Sequence, residues 1–191
     1  QSGGKKGHTI SFDAYLDEIE QLIVETKKRY PNLPVILYGH SMGGNLVLNY
    51  ILRRKHQLAA CVATGPWILL DPEPPAIQVS IAKFLQKIFP SLSQNTKLVA
   101  DHISKDKNEV DKYNNDPLVH GKITLTAATS MMDSANWLLE YREQLPLPTL
   151  IMHGSDDKLT SPKGSKAFSS MAKGDISFKE WNGLYHEIHN E

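Results

Sequence analysis

The chain has 191 residues, with 21 basic and 21 acidic side chains, 40% hydrophobic residues and 8% aromatic. That length suits one domain with room for an insertion, and a charged share of 22% excludes disorder throughout. The formal net charge of zero argues against nucleic acid as a partner, the single Cys61 forms no internal disulfide or cysteine zinc site, and no apolar run reaches the roughly 18 residues of a membrane span.

The sequence begins Gln1-Ser2-Gly3-Gly4 without an initiator Met and stops at Glu191 directly after a motif. A native N-terminus upstream is therefore expected, and the compartment stays open between cytoplasmic and membrane-peripheral. In chain order, Ser11 reads as a helix N-cap, with Asp13 in the first turn where the dipole favours an anion. Phe12, Tyr15, Leu16, Ile19, Leu22 and Ile23 follow at helical spacing until Tyr30-Pro31 halts the pattern. Val35 to Tyr38 is a short strand run, followed by a glycine-rich turn at Gly39 to Gly44, a helix over Asn45 to Arg54, and a strand over Ala59 to Thr64 closed by Gly65-Pro66. Strand, tight turn, helix, strand is the rhythm of a parallel sheet.

From Trp67 to about Leu145 that rhythm is interrupted. Asp71-Pro72-Glu73-Pro74-Pro75 is loop chemistry. Ile77, Ile81, Phe84, Leu85, Ile88 and Phe89 form a helical apolar stripe with Lys83 and Lys87 off it, and Ile123 to Arg142 is a longer helical candidate. The rhythm returns with a strand at Thr149 to His153, a helix opened by Ser161-Pro162 and ended by Lys173-Gly174, and a strand at Ile176 to Trp181. The expected organisation is a core over residues 1–66 and 146–191 with a helical insertion at 67–145.

Gly39-His40-Ser41-Met42-Gly43 matches G-x-S-x-G and lies where a nucleophile elbow must lie, after a strand and before a helix. The serine needs a strained turn, and a side chain on either flanking glycine, Gly39 or Gly43, is expected to collide with neighbouring backbone. The turn also places the Met42 N–H to donate to an oxyanion. A serine hydroxyl needs a base, and the base an orienting acid, in the chain order Ser, Asp, His. His153-Gly154-Ser155-Asp156-Asp157 supplies two candidate acids that spacing alone does not separate. His186 supplies the base, beyond the last strand. His40 reads as a structural or pocket-lining residue, because its chain direction opposes the serine's. His186-Glu187-Ile188-His189 is one residue short of H-E-x-x-H, so no metal is assigned. His8, His56, His102 and His120 are expected at the surface, and Cys61 in a strand as a small buried hydrophobe.

Gly39-His40-Ser41-Met42-Gly43-Gly44, His153-Gly154-Ser155-Asp156-Asp157-Lys158 and Tyr185-His186-Glu187 together resemble the monoacylglycerol lipase and lysophospholipase branch of the α/β-hydrolases. Gly7-His8-Thr9 ahead of Ser11-Phe12-Asp13, and Asn115-Asp116-Pro117-Leu118, are similar to that branch as well. The resemblance implies a mostly parallel sheet with helices on both faces, a helical cap at about Trp67 to Leu145, and cofactor-free hydrolysis of esters of single-chain acyl lipids. It favours Asp157 over Asp156, since the family's acid immediately precedes a basic residue, here Lys158. The catalytic set it implies is Ser41, Asp157 and His186. Peripheral membrane contact through the cap stripe is an expectation that stands beside plain packing of the stripe on the domain beneath.

The sequence departs from the family pattern at its start. No early His-Gly loop supplies a second oxyanion donor, the first four strands are missing, and so is the helix after the histidine. An N-terminally truncated hydrolase is expected, with the strand near Val35 at the sheet edge and little activity in this chain alone. Three rivals share the residues: a proline-type aminopeptidase, an acyltransferase that resolves its acyl-enzyme with an alcohol, and a non-catalytic hydrolase-fold binding module.

Overall fold

Ser11 caps the first helix as its residue type dictates. In the computed structural model, which describes residues 3–96 and 98–191, its hydroxyl accepts from the Ala14 N–H at 3.1 Å. That helix, α1 (Phe12–Arg29), leads into β1 (Ile36–His40), α2 (Met42–Arg53) and β2 (Ala60–Thr64). The inserted segment then carries α3 (Ala76–Ile88), β3 (Ser93–Asn95), a single 3-10 turn at Ala100–His102, α4 (Lys107–Asn115) and β4 (Lys122–Thr124). The chain returns through α5 (Leu125–Glu140) to β5 (Thr149–Gly154), α6 (Pro162–Met171) and β6 (Ile176–Trp181).

Four strands make one parallel sheet in the order β1-β2-β5-β6, and β3 pairs antiparallel with β4 as a separate ribbon. The sheet grows in one direction only. Each connection between neighbouring parallel strands crosses with the same hand, so every crossover helix falls on the same side. Leu37, Cys61, Ala63 and Ile151 point to that side and are buried with Leu16 and Ile23 of α1, Val47, Leu48 and Ile51 of α2, Leu138 of α5 and Phe168 of α6. Helices on both faces were expected. Among the described residues they cover one, and Ile36 and Tyr38, which alternate with Leu37 along β1, stand exposed. β1 occupies the sheet edge, where the strand near Val35 was expected.

Three local readings are corrected. α2 begins at Met42, not Asn45, because the turn glycines Gly43 and Gly44 are already helical. Ile123 belongs to β4, and α5 starts at Leu125 behind a Thr124 cap. Leu22, counted in the apolar stripe of α1, is exposed; Leu16 and Ile23 carry that helix's burial. In α3 none of the residues is buried. Ile77, Ile81, Phe84 and Ile88 are 68%, 52%, 63% and 55% exposed. The opposite side meets α5, where Lys83 Nζ pairs with Asp133 at 2.5 Å and the Thr129 hydroxyl donates to Gln86 at 3.0 Å. The helix thus half-buries Val79, Ala82, Lys83, Leu85 and Gln86 and leaves Ile77, Ile81, Phe84 and Ile88 exposed.

α5 joins the insertion to the core, since Leu138 has no exposed surface and sits among side chains from α1, α2 and α6. Truncating it leaves a cavity that closely packed neighbours fill only in part. Leu138→Ala is expected to lower the unfolding free energy by about 2–5 kcal/mol in urea melts.

Candidate active site

The C-terminal ends of β1, β2, β5 and β6 all lie at one edge of the sheet, and the candidate residues leave from those ends. Ser41 follows β1. Its backbone has φ 55° and ψ −118°, the one positive φ outside glycine among the described residues. A side chain held there stores about 1–3 kcal/mol of strain, maintained only by strong surroundings. Those surroundings are visible. The Ser41 N–H donates to the Thr64 carbonyl at 2.9 Å, and the Ser41 carbonyl accepts from Trp67 N–H at 2.9 Å and Asn45 N–H at 3.1 Å. Asn45, fully buried, donates from its side chain to the Trp67 carbonyl at 2.7 Å and accepts from the Ser134 hydroxyl at 2.9 Å. Met42 opens α2, so its N–H is among the helix's first four, which lack an intrahelical acceptor.

The glycines divide differently from the sequence expectation. A Cβ on Gly39 would stand 2.2 Å from the Gly43 carbonyl oxygen, so Gly39 is obligatory. Gly43 has open space around its missing Cβ. The crowded partner is Gly44, whose Cβ would meet Pro66 at 2.9 Å as α2 crosses the end of β2.

Asp157 and His186 meet. His186 Nδ1 lies 2.7 Å from Asp157 Oδ2, and both side chains are buried. Asp157 Oδ1 accepts from the backbone N–H of Leu159 at 2.8 Å and of Thr160 at 3.0 Å. Burial pushes the Asp157 carboxyl upward, but hydrogen bonds from His153 and His186 outweigh it and hold the group well below the usual carboxylate range. Asp156 is exposed, bonded to the Ser155 hydroxyl at 2.8 Å and facing Lys105 at 3.5 Å, so it does not reach the histidine. His186 sits over Gly65, whose left-handed backbone (φ 48°) and absent Cβ leave room for the imidazole: a Cβ there would be 3.2 Å from the ring. The histidine loop is pinned from the insertion, where the Glu187 N–H donates to the Ile103 carbonyl at 2.7 Å and Ser104 donates to the Asn190 carbonyl at 3.2 Å. Ser41 and His186 thus flank the same Thr64-Gly65 turn.

His40 lines this site. Its Nδ1 is 3.0 Å from the Thr64 hydroxyl, and its ring lies 4.6 Å from that of His186 and 5.0 Å from that of His189. Burial, with His186 and His189 adding to it, drives the His40 pKa down to about 3. His8, His56 and His102, expected at the surface, are half-buried: His8 Nδ1 lies 3.1 Å from the Thr124 hydroxyl, and His56 Nε2 lies 3.1 Å from the Ile51 carbonyl. Cys61 is fully buried, which pushes its thiol up to about 12 and makes it inert. Among the described residues no three His, Cys, Asp or Glu side chains come together to hold a metal ion, and no helix is long and apolar enough to cross a membrane.

Sequence reasoning missed three side chains. His153 Nε2 lies 3.0 Å from Asp157 Oδ2, its Nδ1 lies 2.8 Å from the Ser165 hydroxyl, and Thr160 Oγ1 lies 3.0 Å from both Asp157 Oδ2 and the Gly65 carbonyl. His153 stands in the same motif as Asp157, four residues before it, but nothing in the motif says that the strand's last turn folds the ring back onto the carboxylate.

A family model described as Hydrolase_4, serine aminopeptidase S33, matches residues 1–191. An uncharacterised abhydrolase-domain protein of Dictyostelium discoideum is 36% identical over 193 residues, covering 100% of this chain and 20% of its own length. The monoacylglycerol lipase of Mycolicibacterium smegmatis is 32% identical, covering 100% of this chain and 69% of its own. The crystal structure of a Paleococcus ferrophilus monoacylglycerol lipase superposes with a TM-score of 0.88 at 32% identity, covering 98% of this chain and 71% of that one. The chain spans part of each relative's length.

The depressed His40 pKa has a measurable consequence. An unfolded chain protonates His40 near 6.5 while the folded one stays neutral down to about 3. The His40 contribution to stability is therefore complete above pH 6.5 and lost as pH falls toward 3, at up to about 1.4 kcal/mol per pH unit. Urea melts between pH 3 and 7 are expected to show a shallower decline for His40→Asn than for the wild type.

Proposed function

The chain belongs to the Hydrolase_4 family, described as serine aminopeptidase S33, and on that footing we propose that it is a serine hydrolase cleaving carboxylic esters of single-chain acyl lipids through an acyl-enzyme. The observation that carries this reading is the Asp157–His186 contact at 2.7 Å beside the turn that strains Ser41. With Nδ1 engaged by Asp157, His186 keeps Nε2 for the serine. Ser41 Oγ attacks the ester carbonyl carbon as its proton passes to His186 Nε2, and the Met42 N–H donates to the resulting oxyanion. Collapse breaks the bond to the alcohol, which leaves with the proton from His186. Water then enters by the same base, attacks the acyl-serine, and releases the fatty acid and free Ser41. Asp157 stays ionised throughout and holds the imidazolium, the role suited to a carboxylate whose pKa lies below the ordinary range.

The relatives named monoacylglycerol lipase support a monoacylglycerol or lysophospholipid substrate. The outward apolar stripe of α3 supports it too, since a lipid substrate must be drawn from a membrane or micelle. Ile77, Ile81, Phe84 and Ile88 form a surface that inserts among acyl chains. Lys83 has no part in meeting headgroups, because it is turned to Asp133. The family's description favours an aminopeptidase as the second reading. That activity needs a carboxylate free to hold an amino terminus, and of the two aspartates after β5 Asp157 is engaged by two histidines while Asp156 faces Lys105.

Fluorophosphonate labelling and p-nitrophenyl ester turnover test the triad. Ser41→Ala is expected to abolish labelling and lower turnover on the order of a million-fold while melting like the wild type. Asp157→Asn is expected to lose far more activity than Asp156→Asn, and the reverse order refutes the assignment of the acid. For the lipid surface, Phe84→Asp is expected to weaken binding to phosphatidylcholine vesicles and hydrolysis of long-chain monoacylglycerol, with p-nitrophenyl acetate turnover unchanged. An equal loss on all substrates makes the stripe a structural element instead.

A further inference from the structure

His153 ends its strand with no exposed surface, and the ester-hydrolase reading gives it no role. Its ring bridges two elements. Nδ1 faces the Ser165 hydroxyl on α6 at 2.8 Å, and Nε2 faces Asp157 Oδ2 and the Thr160 carbonyl, each at 3.0 Å. Two acceptors at Nε2 fix the tautomer: Nε2 carries the hydrogen, and the Ser165 hydroxyl donates to Nδ1. The oxygen that His153 reaches is the one that His186 Nδ1 reaches at 2.7 Å, whereas Oδ1 is held separately by two backbone N–H groups. One carboxylate oxygen is therefore shared by two imidazoles.

We infer that His153, set by Ser165, is a positioning residue that holds Asp157 Oδ2 on line with His186 and limits the negative charge this oxygen offers the base. The inference rests on the triad reading above. A carboxylate oxygen that loses one of its donors, here one imidazole of two beside the Thr160 hydroxyl, becomes more basic, and a more basic partner holds an imidazolium more tightly. The titratable groups around His186 are Asp157 from the loop after β5, His40 from the end of β1, and His189 of its own loop behind His40. Thr160 adds a hydroxyl 3.3 Å from Nδ1, and α6 faces the pair with Ser165. His153, by contrast, touches the shared oxygen without touching His186, so its removal changes the acid's hydrogen bonding and leaves the base's other neighbours in place.

The test measures kcat and KM against pH with a soluble p-nitrophenyl ester, in the protein carrying this chain, for His153→Leu, His153→Gln and Ser165→Ala. Asp157→Asn serves as a control, and melting temperatures are recorded alongside. His153→Leu is expected to lower kcat about ten- to a hundred-fold, the worth of a hydrogen bond to a charged group, with KM little changed and the acid limb of kcat/KM at higher pH. His153→Gln, whose amide N–H reaches Asp157, is expected to recover most of kcat and return the limb. Ser165→Ala is expected to move both in the direction of His153→Leu, by less, and it decides the matter where His153→Leu does not fold. A wild-type profile in His153→Leu or Ser165→Ala with an inactive Asp157→Asn overturns this inference alone. A loss in His153→Leu that follows melting temperature, without a limb shift or rescue by glutamine, also overturns it, by reducing His153 to packing. An active Asp157→Asn overturns the triad and the inference with it.

Discussion

A sheet whose strands all run the same way opens every connection at one edge, and the chemistry of this protein depends on that constraint. Ser41, Gly65, Asp157 and His186 leave from β1, β2, β5 and β6, which are far apart in the chain and neighbours in space. The register carries them together: His40 pairs with Thr64, and Thr64 with Met152, so the elbow, the Gly65 turn and the β5 exit stand level across the edge. The core beneath serves this geometry. Leu48, Ile151, Leu138 and Phe168 lock α2, β5, α5 and α6 into one packed layer, which lets the edge hold a strained serine and a buried carboxylate without relaxing either.

Both features cost free energy, and the structure offsets them locally. Burying a carboxylate is tolerable only where donors replace water. Asp157 receives them from two backbone N–H groups and two imidazoles, so its ionised form is favoured in spite of burial. The strain at Ser41 is held by hydrogen bonds on both sides of its peptide units and by Asn45, which anchors the Trp67 backbone from within α2. The start of the insertion is thereby fastened to the elbow, and its Ile103–Ser104 segment is fastened to the histidine loop.

Much of this was legible in the sequence because the signals are local. The Ser11 cap and the Ser161-Pro162 start each follow from the chemistry of one or two residues, and the motif order Ser, Asp, His named the residues of the proposed site. The failures share a cause. Whether Gly43 or Gly44 is crowded and what His153 touches are set by what lies across the fold, and no spacing within a segment encodes that. Which face of the sheet the crossover helices cover is likewise set by the direction of sheet growth and not by any one strand's side chains.

The stripe of α3 shows the same limit in its sharpest form. Periodicity finds an apolar face but carries no sign telling which way that face points. The polar side of α3 decides it here. Lys83 and Gln86 find partners in Asp133 and Thr129 on α5, and these contacts fix the rotation of the helix. Turning the apolar side inward would break both of those contacts. The exposed isoleucines and Phe84 lie on the side of α3 turned away from the contacts it makes with α5.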